Sequence, residues 1–298
     1  MNLELSGIIA YPITPFTRED KLDMSAFEEV LNNLIQANAD TIAILGSAGE
    51  NFYLSDSEWE SILKFSAAHL KGKLPLVVGV CEGTTANAIA KAKKAEQENA
   101  DALMVIPSAY WKLNDEEILQ YYQEISKSTR LPIILYNNPA TSGVDMKPEL
   151  ILRIYNEVKN VQYVKESTGD LRRIHRIQEL SNYKLPIFSG SNATAYEALM
   201  AGATGWCTAA PNIIREAPKQ LYLAIKASKL DLARSLFRKQ IPLLSFITER
   251  GLTQTIKAAF RILGKDYGLA RKPLLDLSRD EKEYLEKLLI PLQAAQMM

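Results

Sequence analysis

The chain has 298 residues, with 35 Lys and Arg against 35 Asp and Glu, so its formal net charge is zero. Apolar residues make up 47% and charged residues 23%, a globular balance that excludes disordered, collagenous and coiled-coil classes. Zero net charge speaks against nucleic acid as a main partner, which takes a surplus of Lys and Arg, and against a polybasic membrane contact.

No apolar run approaches the roughly 20 residues that span a bilayer. The opening stretch MNLELSGIIAYPITPF has no basic segment followed by an apolar one, so no secretory leader is expected. Two cysteines, Cys81 and Cys207, make no disulfide framework, and the expected compartment is a reducing cytoplasm. The length suits two ordinary domains or one large α/β barrel.

In chain order, short β-branched runs alternate with longer amphipathic stretches. GIIAYPI begins at Gly7, TIAIL at Thr41, LVVGV at Leu76 and ALMVI at Ala102. PIILY follows from Pro132, VQYVK from Val161, LPIFSG from Leu185 and GWCTAA from Gly205. Between them, AFEEVLNNLIQA from Ala26, SEWESILKFSAAHL from Ser57 and ANAIAKAKKAEQEN from Ala86 carry apolar residues at helical spacing. Ser55 or Asp56 caps the second of these helices and Thr84 or Thr85 the third. Eight β-then-α units predict an α/β fold, a (β/α)8 TIM barrel. An open doubly wound sheet is the alternative, but no GxGxxG follows the first strand. After the eighth strand only helical patterns remain. The expected organisation is a barrel over 1–225 with a C-terminal helical extension, 226–298, packed on it as one unit.

Barrel active sites lie at the carboxyl ends of the strands. There the second strand runs into Gly46-Ser47-Ala48-Gly49-Glu50, the fourth into Pro107-Ser108-Ala109-Tyr110 and the fifth into Tyr136-Asn137-Asn138-Pro139. The sixth ends in Lys165-Glu166-Ser167-Thr168-Gly169, the seventh in Ser189-Gly190-Ser191-Asn192 and the eighth in Thr208-Ala209-Ala210-Pro211. Strand alternation puts Val161, Tyr163 and Lys165 on one face, and Ile134 and Tyr136 on one face of the preceding strand. An amine at the mouth of an apolar barrel is desolvated, which favours its neutral form. A neutral amine attacks a ketone to give a Schiff base. The competing reading of Lys165 is an ion pair with Glu166 or Asp170, and that of Tyr136 is a packed aromatic. The loop at Ser47 either converges N–H groups on an anion or is a glycine turn. His69 and His175 fall within helical stretches, so neither a histidine base nor a histidine metal site is expected. No P-loop and no GxSxG occurs.

The motifs at Gly46–Glu50, Tyr136–Pro139 and Lys165–Gly169, in order on strands two, five and six, resemble those of the dihydrodipicolinate synthase / N-acetylneuraminate lyase family. These are pyruvate-handling class I aldolases on a (β/α)8 barrel, and the resemblance runs from about Gly7 to about Asn212. It implies that Lys165 forms the imine with pyruvate or another 2-keto acid, with no separate cofactor and no metal. It implies that Tyr136 shuttles protons, that Ser47 links it to a relay, and that Tyr110 supplies a second relay phenol to a neighbouring subunit. It assigns Ser47 and Ala48 to the keto-acid carboxylate, Gly190 and Cys207 to the wall of the pocket, and Thr141, Ser167 and Asn192 to substrate contacts. Self-association as a dimer or tetramer follows.

The departures bear on the second substrate. Ala48 stands where a second hydroxyl is usual. Thr141 holds the place of the arginine with which the synthases of lysine biosynthesis grip the aldehyde's carboxylate, and a threonine gives no bidentate clamp. Asn192 and Ala193 stand where the sialic acid lyases carry an acidic pair. The expected activity is a Schiff-base lyase or aldolase whose partner is neither aspartate semialdehyde nor sialic acid. The alternatives are the synthase proper, a keto-acid dehydratase or deaminase, a phosphate-handling barrel using the Ser189–Asn192 loop, and a non-catalytic keto-acid binder.

Overall fold

The computed structural model describes residues 4–294. Eight strands form it: β1 (Gly7–Ala10), β2 (Thr41–Ile44), β3 (Leu76–Glu82), β4 (Ala102–Pro107), β5 (Ile133–Asn137), β6 (Val161–Glu166), β7 (Ile187–Ser189) and β8 (Gly205–Thr208). They close in sequence order, every neighbour parallel, and β8 returns to β1 with Gly7 opposite Gly205 and Ile9 opposite Cys207. The open doubly wound alternative is thereby excluded. Apart from Gln162 on β6 and the last two residues of β3, the strands are buried on both faces, which is why they read as continuous β-branched runs rather than as alternation.

The helices in chain order are α1 (Met24–Gln36), α2 (Asp56–Leu70), α3 (Thr85–Gln97), α4 (Asp115–Ser128), α5 (Pro139–Ser142), α6 (Pro148–Glu157) and α7 (Leu171–Leu180). They continue with α8 (Ala195–Met200), α9 (Pro211–Ile214), α10 (Ala217–Lys226), α11 (Leu230–Arg250), α12 (Leu252–Ile262) and α13 (Arg279–Ala294). Of the alternative caps, Ser55 closes a capping box with Glu58, and Thr84 accepts from Asn87 N. His69 packs on Phe65 and hydrogen-bonds Asn32, and His175 lies exposed on α7.

The C-terminal helices reach the barrel mouth. Thr253 Oγ1 donates to the carbonyls of Ser47 and Ala48, each at 3.3 Å. Lys257 and Glu50 form an ion pair at 2.7 Å with side chains 1% and 0% exposed. Arg271 adds Tyr53 O at 2.9 Å and the Glu58 carboxylate at 2.5 and 2.7 Å. The loop after β2 is thus clamped by residues about 200 positions away. No helix among the described residues is long and apolar enough to cross a membrane.

Candidate active site

Lys165 ends β6 on the face that looks into the barrel, in register with Tyr136 on β5. It is 5% exposed. Its Nζ lies 3.7 Å from the ring centroid of Tyr136 and 4.5 Å from that of Tyr11, and donates to Tyr11 Oη at 3.0 Å. Both carboxylates offered as ion-pair partners are engaged elsewhere: Glu166 takes Arg173 Nε at 3.1 Å and Asp170 takes Arg172 at 2.7 Å. The buried Glu166 also accepts from Asn137 Nδ2 at 3.0 Å and Thr168 N at 2.8 Å. These bonds lock the ends of β5 and β6 together beneath the amine.

Two phenols meet at this amine, and their surroundings push them in opposite directions. Burial pushes the Tyr136 phenol up. The positive charge of Lys165, with hydrogen bonds from Asn138, Lys165 and Ser47, outweighs it and leaves Tyr136 below the usual tyrosine range. Asn138 Nδ2 donates to that phenol at 2.9 Å. Tyr11 is held well above the usual range by burial and by the neighbouring Cys207 and Tyr136. The Cys207 thiol is pushed up to about 11, by burial first.

The loop after β2 is strained at both ends. Leu45 and Glu50 take left-handed φ values of 57° and 58°, which side-chain-bearing residues adopt at a cost. The N–H groups of Gly49, Glu50 and Asn51 close the turn on Gly46 and Ser47 carbonyls, while those of Ser47 and Ala48 take no part in these bonds. The loop is therefore both a turn and a presentation of two amides. Opposite it, Gly190 lies hard against the lysine. A Cβ there would stand 1.8 Å from Ser167 Oγ and 2.7 Å from Lys165 Cε. No side chain fits while Lys165 holds this position.

A cavity of about 670 Å³ gathers most of the residues expected from sequence: Lys165, Tyr136, Ser47, Ala48, Thr141, Ser167, Gly190, Asn192 and Cys207 all line it. Ser167 Oγ is buried there without a hydrogen-bond partner. Asn192 Oδ1 accepts from Thr208 Oγ1 at 2.9 Å. Lys165 is the one charged residue among those lining the cavity, so the loop after β7 brings no cation for a phosphate. A second cavity of about 420 Å³ shares Tyr11, Ser47, Tyr136 and Thr141 with the first. Tyr110 is not brought to either cavity of this chain. It is 96% exposed and stacks edge-on with the exposed Trp111. Among the described residues, no group of three or more His, Cys, Asp or Glu is placed to hold a metal ion.

Sequence reading missed Tyr11, Asn138 and the junction of α11 and α12, where Ile247, Thr248, Gly251 and Leu252 complete the wall. The signal for Tyr11 was its alternation with Gly7 and Ile9 at the end of β1. The α11–α12 junction carries no local signature.

A buried amine between two phenols, at the carboxyl end of a closed parallel barrel, is the arrangement expected of a lyase that works through a lysine imine. The chain belongs to the dihydrodipicolinate synthetase family, whose model matches residues 4–291. It is 29% identical over 289 residues to 4-hydroxy-tetrahydrodipicolinate synthase 1 of Halalkalibacterium halodurans, covering 97% of this chain and 98% of that one. It is 30% identical over 284 residues to the 4-hydroxy-tetrahydrodipicolinate synthase of Thermosipho melanesiensis, with 95% and 97% covered. A solved structure assigned as a dihydrodipicolinate synthetase from Pseudomonas aeruginosa superposes with a TM-score of 0.95 at 44% identity, covering 97% of this chain and 100% of that one.

Proposed function

We propose that this enzyme makes or breaks a bond at C3 of a 2-keto acid such as pyruvate through an imine on Lys165, and that its second substrate is an uncharged, hydroxyl-bearing aldehyde. The observation carrying the first part is the buried Lys165 amine against Tyr136 and Tyr11. The keto-acid carboxylate lies on the free amides of Ser47 and Ala48 with the Ser47 hydroxyl. Lys165 Nζ attacks C2, and the C=O electron pair moves to oxygen. The carbinolamine hydroxyl takes a proton from Tyr136 and leaves as water while the nitrogen lone pair closes C=N. The product is an iminium cation beside a Tyr136 phenolate, with the cation standing where the charge of Lys165 lowers this phenol in the free protein. The phenolate then removes a C3 proton, and the C3–H electrons form the enamine that attacks the aldehyde. In the cleavage direction Tyr136 takes the proton of the C4 hydroxyl instead. The imine stands in place of a separate cofactor.

The second part rests on the cavity lining. Thr141, Ser167, Thr168, Asn192, Thr208 and Thr248 offer hydroxyls and an amide, and no guanidinium stands at Thr141 to bind a second carboxylate. Aspartate semialdehyde is a poor fit because this wall offers its carboxylate no cation, and Asn192 and Ala193 lack the acidic pair expected of a sialic acid site. We assign Tyr110, exposed beside Trp111, to a site across a subunit interface in a dimer or tetramer. The free thiols of Cys81 and Cys207 suit a reducing cytoplasm.

The test needs no second substrate. In D2O, NMR follows loss of pyruvate methyl protons as the imine and enamine interconvert. The protein accelerates this exchange and Lys165→Ala abolishes it. Exchange that survives Lys165→Ala overturns the assignment.

A further inference from the structure

The sequence led to Tyr136 and, across a subunit interface, Tyr110; the structure places another phenol, Tyr11, directly on the amine. We infer that Tyr11 is a catalytic residue of the imine-forming step: it carries the proton from Lys165 nitrogen to the keto oxygen as the carbinolamine forms. The inference rests on the Schiff-base reading of Lys165.

Geometry carries it. Tyr11 Oη accepts from Lys165 Nζ at 3.0 Å, so the phenol touches the reacting atom directly. Its own proton points at Met104 Sδ at 2.7 Å, and the Cys207 sulfur is its other hydrogen-bonding neighbour. Both are sulfur, a weak acceptor that a hydroxyl leaves readily for a carbonyl oxygen. The residue is fixed at its backbone and its ring is closely packed. Asn212 Nδ2 donates to Tyr11 O at 2.7 Å and Tyr11 N donates to Thr208 O at 3.1 Å. Gly46 makes room for the ring, because a Cβ there would stand 2.8 Å from Tyr11 Cδ1 and Cε1. Tyr11 also lines the 670 Å³ cavity beside Lys165.

The step balances. As Nζ attacks C2, the N–C bond forms and the carbonyl π pair moves to oxygen, leaving N⁺ and O⁻. Tyr11 gives its hydroxyl proton to that oxygen and takes one from the nitrogen. The products are a neutral carbinolamine and an unchanged phenol. A phenol held against ionisation suits such a transfer, in which it never accumulates as phenolate. Tyr136, driven the other way, supplies the later proton for departing water. The two phenols thereby divide formation and dehydration of the carbinolamine.

The experiment is rapid-quench borohydride trapping with pyruvate, comparing wild type, Lys165→Ala and Tyr11→Phe. Wild type traps, and Lys165→Ala does not. Tyr11→Phe keeps the ring and reaches the same final extent of adduct, at a rate lower by about 10²-fold or more, the usual contribution of a positioned acid–base group. A merely structural change moves the final extent or the melting temperature instead. A Tyr11→Phe rate within about threefold of wild type overturns the role of Tyr11 and leaves the Schiff-base reading standing. No adduct in wild type overturns both. As a second arm, 3,5-difluorotyrosine at position 11 keeps the hydroxyl and acidifies it. Its trapping rate departs from wild type, and a rate unchanged within about twofold overturns the proposal.

Discussion

Replacing Lys257 by methionine probes how the strained loop at Ser47 is held. Lys257 and Glu50 are 1% and 0% exposed, and their 2.7 Å contact is flanked by Arg271 N on Glu50 and Leu269 O on Lys257. Methionine matches the stem of the lysine but removes its ammonium, which lies 4.3 Å from the Phe16 ring centroid. The Glu50 carboxylate is then buried with one N–H donor. Breaking a buried pair from one side costs about 3–5 kcal/mol. At about 1.6 °C per kcal/mol for a chain of 298 residues, the melting temperature falls by roughly 5–8 °C. Glu50→Gln leaves an unpaired ammonium instead, at similar cost. The double variant removes both charges, keeps an acceptor for Arg271 N, and costs less than either single change, since a buried pair contributes little net stability. Thermal unfolding of the four proteins forms the cycle. Single variants within about 1 kcal/mol of wild type, or costs that simply add, refute the reasoning.

Other consequences are equally direct. Gly190→Ala drives a methyl into Ser167 Oγ and Lys165 Cε; overpacking costs about 1–3 kcal/mol, and displacing the amine by about 1 Å slows imine trapping by about 10²-fold, with partial recovery in Gly190→Ala/Ser167→Ala. Tyr136 ionises below the ordinary tyrosine value of 10, so between its folded value and 10 the unfolded chain binds more protons than the native one. Stability therefore rises with pH across that window and is lost again as pH falls through the folded value. Ultraviolet difference titration shows one early phenol that Tyr136→Phe removes and that Lys165→Met shifts upward. Thr141→Arg places a guanidinium at the mouth and raises kcat/KM for aldehydes bearing a carboxylate by about tenfold or more, the equivalent of one charge-assisted contact; no gain argues against Thr141 facing the second substrate.

Much of this site was legible because it obeys local rules. Lys165 and Tyr136 sit on strands whose alternation fixes their face, and neighbouring strands in chain order place them side by side. Ser55 and Thr84 announced their helices by side-chain capping chemistry. What stayed hidden depends on closure. Tyr11 meets Lys165 across 154 residues, only because β1 and β8 join and turn its ring inward. The Glu50–Lys257 pair spans 207 residues, and no periodicity links a loop glutamate to a lysine on α12. Glu166 read as a candidate partner for its neighbour Lys165. In the fold, the end of β6 turns its carboxylate away to Arg173 on α7, leaving the amine to the phenols. Tyr110 lies at the surface of the single chain, where chain-internal packing assigns it no role.

The most direct measurement traps the covalent intermediate. The protein is incubated with pyruvate, reduced with borohydride, digested and mapped by peptide mass spectrometry. An imine on Lys165 predicts one reduced pyruvyl adduct, on that residue, absent when it is alanine. An adduct on another lysine, or none from folded protein with pyruvate or larger 2-keto acids, contradicts it.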